Sequence, residues 1–242
     1  MNIFGIADLH LSFLKKVVPG KWEDVEEHKS MDIFGKTWEK HYRQLYENWL
    51  ATVKEDDLVL IPGDISWANT LEEARYDFDF INILPGKKIL IKGNHDYWWQ
   101  GINRLRSSLP DNFYLIQNDS LKFNNITIAG SRGWLVPGSK DFSEHDKKIY
   151  NRELKRLELS LDTVSNASRM QIVMLHYMPV NEKHEKNEII ELLINRNVDI
   201  CLYGHLHDEA HQIRLEGRKW GVNFQLISAD FTGFKPLKII EV

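Results

Sequence analysis

Six short runs of mostly apolar residues punctuate the chain, at residues 3–7, 58–61, 88–91, 126–129, 172–175 and 199–203. Uninterrupted runs of this length predict strands buried on both faces rather than half-exposed ones. Between them the period changes. Over residues 37–54, Trp38, Tyr42, Leu45, Trp49 and Val53 recur at steps of three and four, which predicts a helix with one apolar stripe. Residues 71–84 carry Ala74, Phe78, Ile81 and Leu84 on one stripe, and residues 150–164 carry Leu154, Leu157, Leu161 and Val164. A shorter helix is predicted over residues 188–195, ending near Asn197. Alternating strands and helices predict α/β layering. The tail differs. Residues 212–215, a turn at Glu216-Gly217, residues 220–228 and residues 237–242 predict an antiparallel meander with one hairpin. Residues 11–36 have no clear pattern, are charged, and contain Pro19-Gly20 and Gly35. An insertion of this length within a compact domain is usually functional or mobile, so a lid near the site is one expectation.

Composition narrows the class. A length of 242 residues suits one domain spanning 1–242. The single cysteine, Cys201, excludes a disulfide framework and a Cys-rich zinc site, and its strand context predicts burial. With 31 Lys and Arg against 35 Asp and Glu there is no basic stripe, so no dedicated nucleic-acid surface is expected. No apolar run approaches the roughly 20 residues of a membrane helix, and the first residues lack a basic n-region. A cytoplasmic protein without membrane partners is the expectation. The sequons at Asn118, Asn125 and Asn166 are then chance matches.

The ten histidines are the unusual count, and half of them are grouped. Five of the predicted strands run into polar clusters: Asp8-Leu9-His10, Pro62-Gly63-Asp64, Gly93-Asn94-His95-Asp96, His176, and Gly204-His205-Leu206-His207. Ligands of open α/β sheets bind outside the carboxyl ends of the strands, so these clusters are expected at one edge. Residues two apart on an extended chain share a side, so Asp8 with His10, and His205 with His207, can each aim two ligand atoms at one point. The set is oxygen and nitrogen without thiolate, which suits Mn, Fe or Zn. Asp8, His10, Asp64, Asn94, His176, His205 and His207 are too many for one tetrahedral ion, whereas two ions sharing a carboxylate would use them all. Two divalent ions against two aspartates and a bridging hydroxide leave about one net positive charge on formal counting. Such a pair clamps phosphoryl oxygens and activates bound water, so a small phosphate ester is the expected substrate, a nucleotide among the candidates.

These five motifs, in this order and spanning residues 8 to 207, resemble those of the calcineurin-like metallophosphoesterases. The resemblance implies a four-layer α/β/β/α sandwich. It implies that Asp8, His10, Asp64 and His207 hold one divalent metal, and that Asp64, Asn94, His176 and His205 hold the other, with Asp64 bridging. It further implies in-line attack on a phosphate mono- or diester by metal-bound hydroxide, with His95 as general acid and Asp96 orienting His95. The chain departs from many relatives where Leu11-Ser12 follows His10 in place of an early glycine. The segment Met31-Asp32-Ile33-Phe34-Gly35-Lys36-Thr37-Trp38 marks a bacterial-type subgroup.

Other residues carry two readings each. Trp67, Tyr97, Trp98 and Trp99 follow metal motifs directly; they pack helix starts or wall a substrate pocket. Arg132 follows a strand; it forms a structural salt bridge or clamps phosphate as a bidentate donor. His28, His41, His145, His184 and His211 lack a motif and are expected as surface or packing residues. The alternative from another class is a catalytically silent protein-binding scaffold on the same fold. A DNA-repair nuclease would need further domains.

Overall fold

The computed structural model describes residues 1–164 and 168–241. The sequon at Asn166 and the last predicted strand residue, Val242, lie outside the described residues. Two mixed sheets flanked by helices make up the chain, as the expected α/β class requires. The chain divides into two compact units, residues 1–115 with 228–242 and residues 116–227.

The first unit holds strands β1 (Asn2–Gly5), β2 (Leu58–Pro62), β3 (Lys87–Ile91), β4 (Phe113–Leu115) and β11 (Leu237–Glu241). Their order is β11-β1-β2-β3-β4, with only β11 antiparallel to its neighbour. Every residue of β2 is buried, as its apolar run predicts. Register aligns the strand ends: Gly5 pairs with Leu60, and Pro62 with Ile91. The clusters that follow β1, β2 and β3 therefore emerge at one edge of this sheet. Helix α1 (His41–Thr52) buries Tyr42, Leu45 and Trp49 on the predicted stripe. Trp38 is also buried but lies in a separate short 3-10 turn, Lys36–Trp38. Helix α2 (Arg75–Asn82) buries Phe78, Phe80 and Ile81. Helix α3 (Ile102–Ser108) and β4 carry too few periodic residues to be legible in the sequence.

Residues 11–36 are tied down within this unit. Leu11 N–H donates to the Ile65 carbonyl at 3.1 Å, and Leu14 N–H to the Glu26 carbonyl at 2.9 Å. Phe13, Val17 and Met31 are buried, and Phe13 packs edge-on against Tyr42 and Phe80. Leu11, Phe13, Val17 and Met31 of this segment thus pack into the hydrophobic core, while most of its other residues are half-buried or exposed.

The second unit holds β5 (Ser120–Phe123), β6 (Ile126–Ser131), β7 (Met170–Leu175), β8 (Ile200–Tyr203), β9 (Gly217–Lys219) and β10 (Val222–Leu226). The order is β5-β6-β7-β8-β10-β9. Four inner strands are parallel, and the two edge strands are antiparallel. Ser131, Leu175 and Tyr203 stand in register, so their successors Arg132, His176 and Gly204 leave the sheet together. Helix α4 (Glu144–Asp162) begins before the predicted stripe, because Ser143 and Asp146 form a capping box in a polar stretch. Helix α5 (Glu188–Asn195) matches its predicted span.

The tail corrects the predicted meander. Residues 208–213 form 3-10 turns, and the hairpin joins β9 to β10 around Trp220-Gly221, not Glu216-Gly217. Trp220 and Gly221 both have positive φ, as a tight two-residue hairpin demands. β10 then pairs parallel to β8, and β11 joins the first unit's sheet. Local patterning marked the strands but could not choose their neighbours.

Candidate functional site

In the first unit, β1 and β2 continue past their ends as a paired loop. Asp8 N–H donates to the Gly63 carbonyl and His10 N–H to the Asp64 carbonyl, both at 3.0 Å. Asp8, His10 and Asp64 all have left-handed backbone, with φ of 60°, 47° and 52°. Non-glycine residues adopt that region at a cost and cluster at functional sites. All three side chains are buried. His10 Nε2 lies 3.9 Å from Asp64 Oδ2, too long for a hydrogen bond. Ligand bonds of about 2.0–2.2 Å would let one ion sit between them.

The Gly93–Asp96 turn explains why this loop is rigid. Gly93 lies so close to Asp64 that a Cβ there would collide with the Asp64 carboxylate and backbone nitrogen. His95 N–H donates to Asp64 Oδ1 at 2.8 Å. Asp96 is fully buried and accepts five bonds. Its Oδ2 takes the N–H groups of Asp64 at 2.9 Å and Gly93 at 2.7 Å. Its Oδ1 takes Ile65 N–H and Trp98 Nε1–H at 2.9 Å, and Ser66 N–H at 3.3 Å. Burial first, then the neighbouring Asp64 charge, push this carboxyl upward, and the backbone donors pull it back. The family resemblance implies that Asp96 orients His95. Its oxygens instead bind the ligand loop, because four backbone N–H groups there have no ladder partner to satisfy them.

The aromatic cluster divides. Trp98 has no exposed surface and packs edge-on against Phe78 at 4.9 Å. It is a core residue and cannot wall a pocket. Trp99 is also buried, whereas Tyr97 is exposed. Trp67 stacks on the His10 ring at 4.8 Å and lies 4.2 Å from the His95 ring. Sequence reasoning missed three further neighbours. Trp38 meets His10 edge-on at 5.9 Å. His41 is buried, and its Nε2 bonds the carbonyl of Leu9, between two expected ligands, at 2.9 Å. Burial pushes the His41 pKa down to about 4, so the imidazole stays neutral there. Lys29 stands over the Trp67 ring at 3.0 Å. Lys29 and His41 have no local motif and Trp38 only ends the subgroup segment; the fold brings all three to the ligands.

In the second unit, His176 is fully buried at the end of β7. Its N–H donates to the Arg132 carbonyl at 2.9 Å, and Gly204 N–H donates to the His176 carbonyl at 3.1 Å. The rings of His176 and His205 meet edge-on at 5.0 Å, and Tyr177 lies 4.0 Å from His205. His205, like the ligands of the first unit, has positive φ, 70°. His207 precedes the short 3-10 turns that begin at Asp208. The Arg132 guanidinium donates to buried Glu153 at 3.2 Å and lies over the Trp134 ring. This geometry forms a structural ion pair. Cys201 is buried in β8, and burial pushes its thiol up, as expected of an inert core cysteine.

Among the described residues, His and Asp side chains form groupings compatible with a metal site. No helix among them is long and apolar enough to cross a membrane. A solved structure, the protein of unknown function AQ665 from Aquifex aeolicus, is similar over 98% of this chain and 94% of that chain, at 16% identity and a TM-score of 0.47. No curated protein matches the chain. The calcineurin-like phosphoesterase model matches residues 1–209, a span that contains all five strand-end motifs, and the chain belongs to that family.

Proposed function

We propose that this protein is a dinuclear-metal phosphoesterase acting on a small phosphate mono- or diester. Family membership supports a metal-dependent phosphoric ester hydrolase. The observation that carries the reading is the buried trio Asp8, His10 and Asp64, held in left-handed backbone at two strand ends. Two carboxylates and an imidazole buried together offer an oxygen and nitrogen donor set that fits Mn, Fe or Zn.

In this reading the strand-end residues Asp8, His10, Asp64, Asn94, His176, His205 and His207 would supply the metal ligands. When bound, the ions neutralise phosphate charge and activate water. The chain's own residues do the rest. His95 holds a proton for the departing oxygen, and its bond to Asp64 fixes its place relative to that carboxylate. Asp96 keeps the Asp64 loop from relaxing when the carboxylate changes partners. His41, neutral and bonded to the Leu9 carbonyl, holds the peptide between Asp8 and His10.

Elemental analysis of the purified protein, with turnover on a panel of phosphomonoesters and phosphodiesters with Mn²⁺, tests the proposal. Bound transition metal and hydrolysis of at least one ester are expected. Neither metal nor hydrolysis would leave the protein-binding scaffold as the better reading.

A further inference from the structure

Lys29 occupies an unusual position for a lysine of a charged segment. Its backbone is anchored two residues beyond an expected ligand: Ser12 Oγ donates to the Lys29 carbonyl at 2.7 Å, and His28 N–H donates to the Ser12 carbonyl at 3.0 Å. Its ammonium stands 3.0 Å over the Trp67 ring, the ring that touches both His10 and His95. Trp67 is itself held from the same segment, its Nε1–H donating to Met31 Sδ at 3.3 Å. Nearby lysines behave differently: Lys15 pairs with Glu26 at 2.5 Å and Lys40 with Glu23 at 2.6 Å. Lys29 makes no ion pair among the described residues, and the carboxylate that acts on its charge is that of Asp64. Its charge is thus held, outside any ion pair, on the ring that contacts the expected general acid.

We propose that Lys29 and Trp67 form a leaving-group subsite that recognises a second phosphate, carried by the alcohol that departs when the ester is cleaved. This rests on the phosphoesterase reading above, with His95 on the leaving-group side. Cleavage breaks the bond from phosphorus to the ester oxygen and forms one from phosphorus to the oxygen of water. The ester oxygen takes its proton from His95. The departing alcohol therefore passes the His95 ring and, beside it, the Trp67 ring that carries the Lys29 ammonium. An ammonium partly shielded from water by an indole binds phosphate better than a fully solvated one. The substrate class is a bisphosphate ester rather than an ester of a neutral alcohol.

Matched pairs test this: adenosine 3′,5′-bisphosphate against adenosine 3′-phosphate, and 1,3-propanediol bisphosphate against its monophosphate. The wild type is expected to favour the bisphosphate in kcat/KM. Lys29→Met keeps an unbranched stem on the Trp67 ring and removes the charge. It should lower the bisphosphate-to-monophosphate ratio roughly 10- to 100-fold, the range of a charge-assisted hydrogen bond. Lys29→Arg should restore most of the ratio, and melting curves check that all variants fold. As a readout apart from turnover, calorimetry on His95→Ala should show adenosine 3′,5′-bisphosphate binding about tenfold more tightly than on His95→Ala/Lys29→Met. A wild type with no bisphosphate preference, an unchanged ratio in Lys29→Met, equal dissociation constants or no binding in either protein overturns the subsite. Absence of metal and of all hydrolysis would instead strike the phosphoesterase reading itself.

Discussion

The backbone N–H of His95 donates to Asp64 Oδ1 at 2.8 Å, so the expected general acid is tied through its main chain to the expected bridging carboxylate. That bond does not depend on the imidazole. Proton donation and metal retention should therefore separate on mutation. His95→Ala is expected to keep its metal and lose about 10²–10⁴-fold in kcat. Asp64→Ala is expected to lose metal and activity together. Elemental analysis beside kcat measures both, and full activity in His95→Ala would remove His95 from the mechanism.

Asp96 makes a different prediction. Five donors converge on it, so Asp96→Asn turns one acceptor into an NH₂ group facing N–H donors. A loss of about 3 kcal/mol or more is expected, since hydrogen bonds to charged groups contribute about 1.5–3 kcal/mol each. Chemical denaturation and metal titration should both register it. Wild-type stability with a fall in kcat alone would show that Asp96 acts on His95 after all.

Gly93→Ala tests the close approach at the third motif. Its Cβ would meet the Asp64 carboxylate and backbone nitrogen, neither of which can move without disturbing the ligand loop. The variant should bind metal weakly while far-UV circular dichroism stays near wild type. Undiminished metal content would contradict the crowding argument.

Trp98→Phe should act on stability and spare substrate affinity. The ring is fully buried against Phe78, and its Nε1–H reaches only Asp96. Loss of that bond costs about 1–3 kcal/mol. A changed KM with unchanged denaturation midpoint would return Trp98 to the pocket.

Asp77 supplies the pH dependence. It is buried and accepts Phe13 N–H at 2.8 Å and the Ser66 hydroxyl. Burial pushes its pKa from 3.8 up to about 7, with neighbouring Glu27, itself raised to about 7, adding to the rise against those two bonds. The folded state thus holds a proton that the unfolded chain has already lost. Stability from this group is fully present below about pH 4 and disappears as pH rises through about 7. Asp77→Asn mimics the protonated form at every pH. Urea midpoints at about pH 5 and about pH 8 should fall with pH in the wild type, and fall less in the variant. An equal decline in both would locate the effect elsewhere, Glu27 first.

The sequence by itself determined the α/β class, the six buried strands and the residue types at their ends, because continuous apolar runs and the clusters after them are local features of the chain. The α5 boundaries were legible for the same reason. Tertiary structure alone decided partners. β10 lies parallel to β8 and β11 beside β1, since pairing depends on where distant segments meet. It also decided that Asp96 binds backbone donors rather than His95, that Trp98 belongs to the core while Trp67 reaches the ligands, and that residues 11–36 are anchored. Arg132 follows β6 and Glu153 lies on α4, yet the fold pairs the guanidinium with the buried carboxylate. A side chain's chemistry is set by residue type, which sequence displays. Its task is set by the groups left unsatisfied around it, which exist only once the chain has folded.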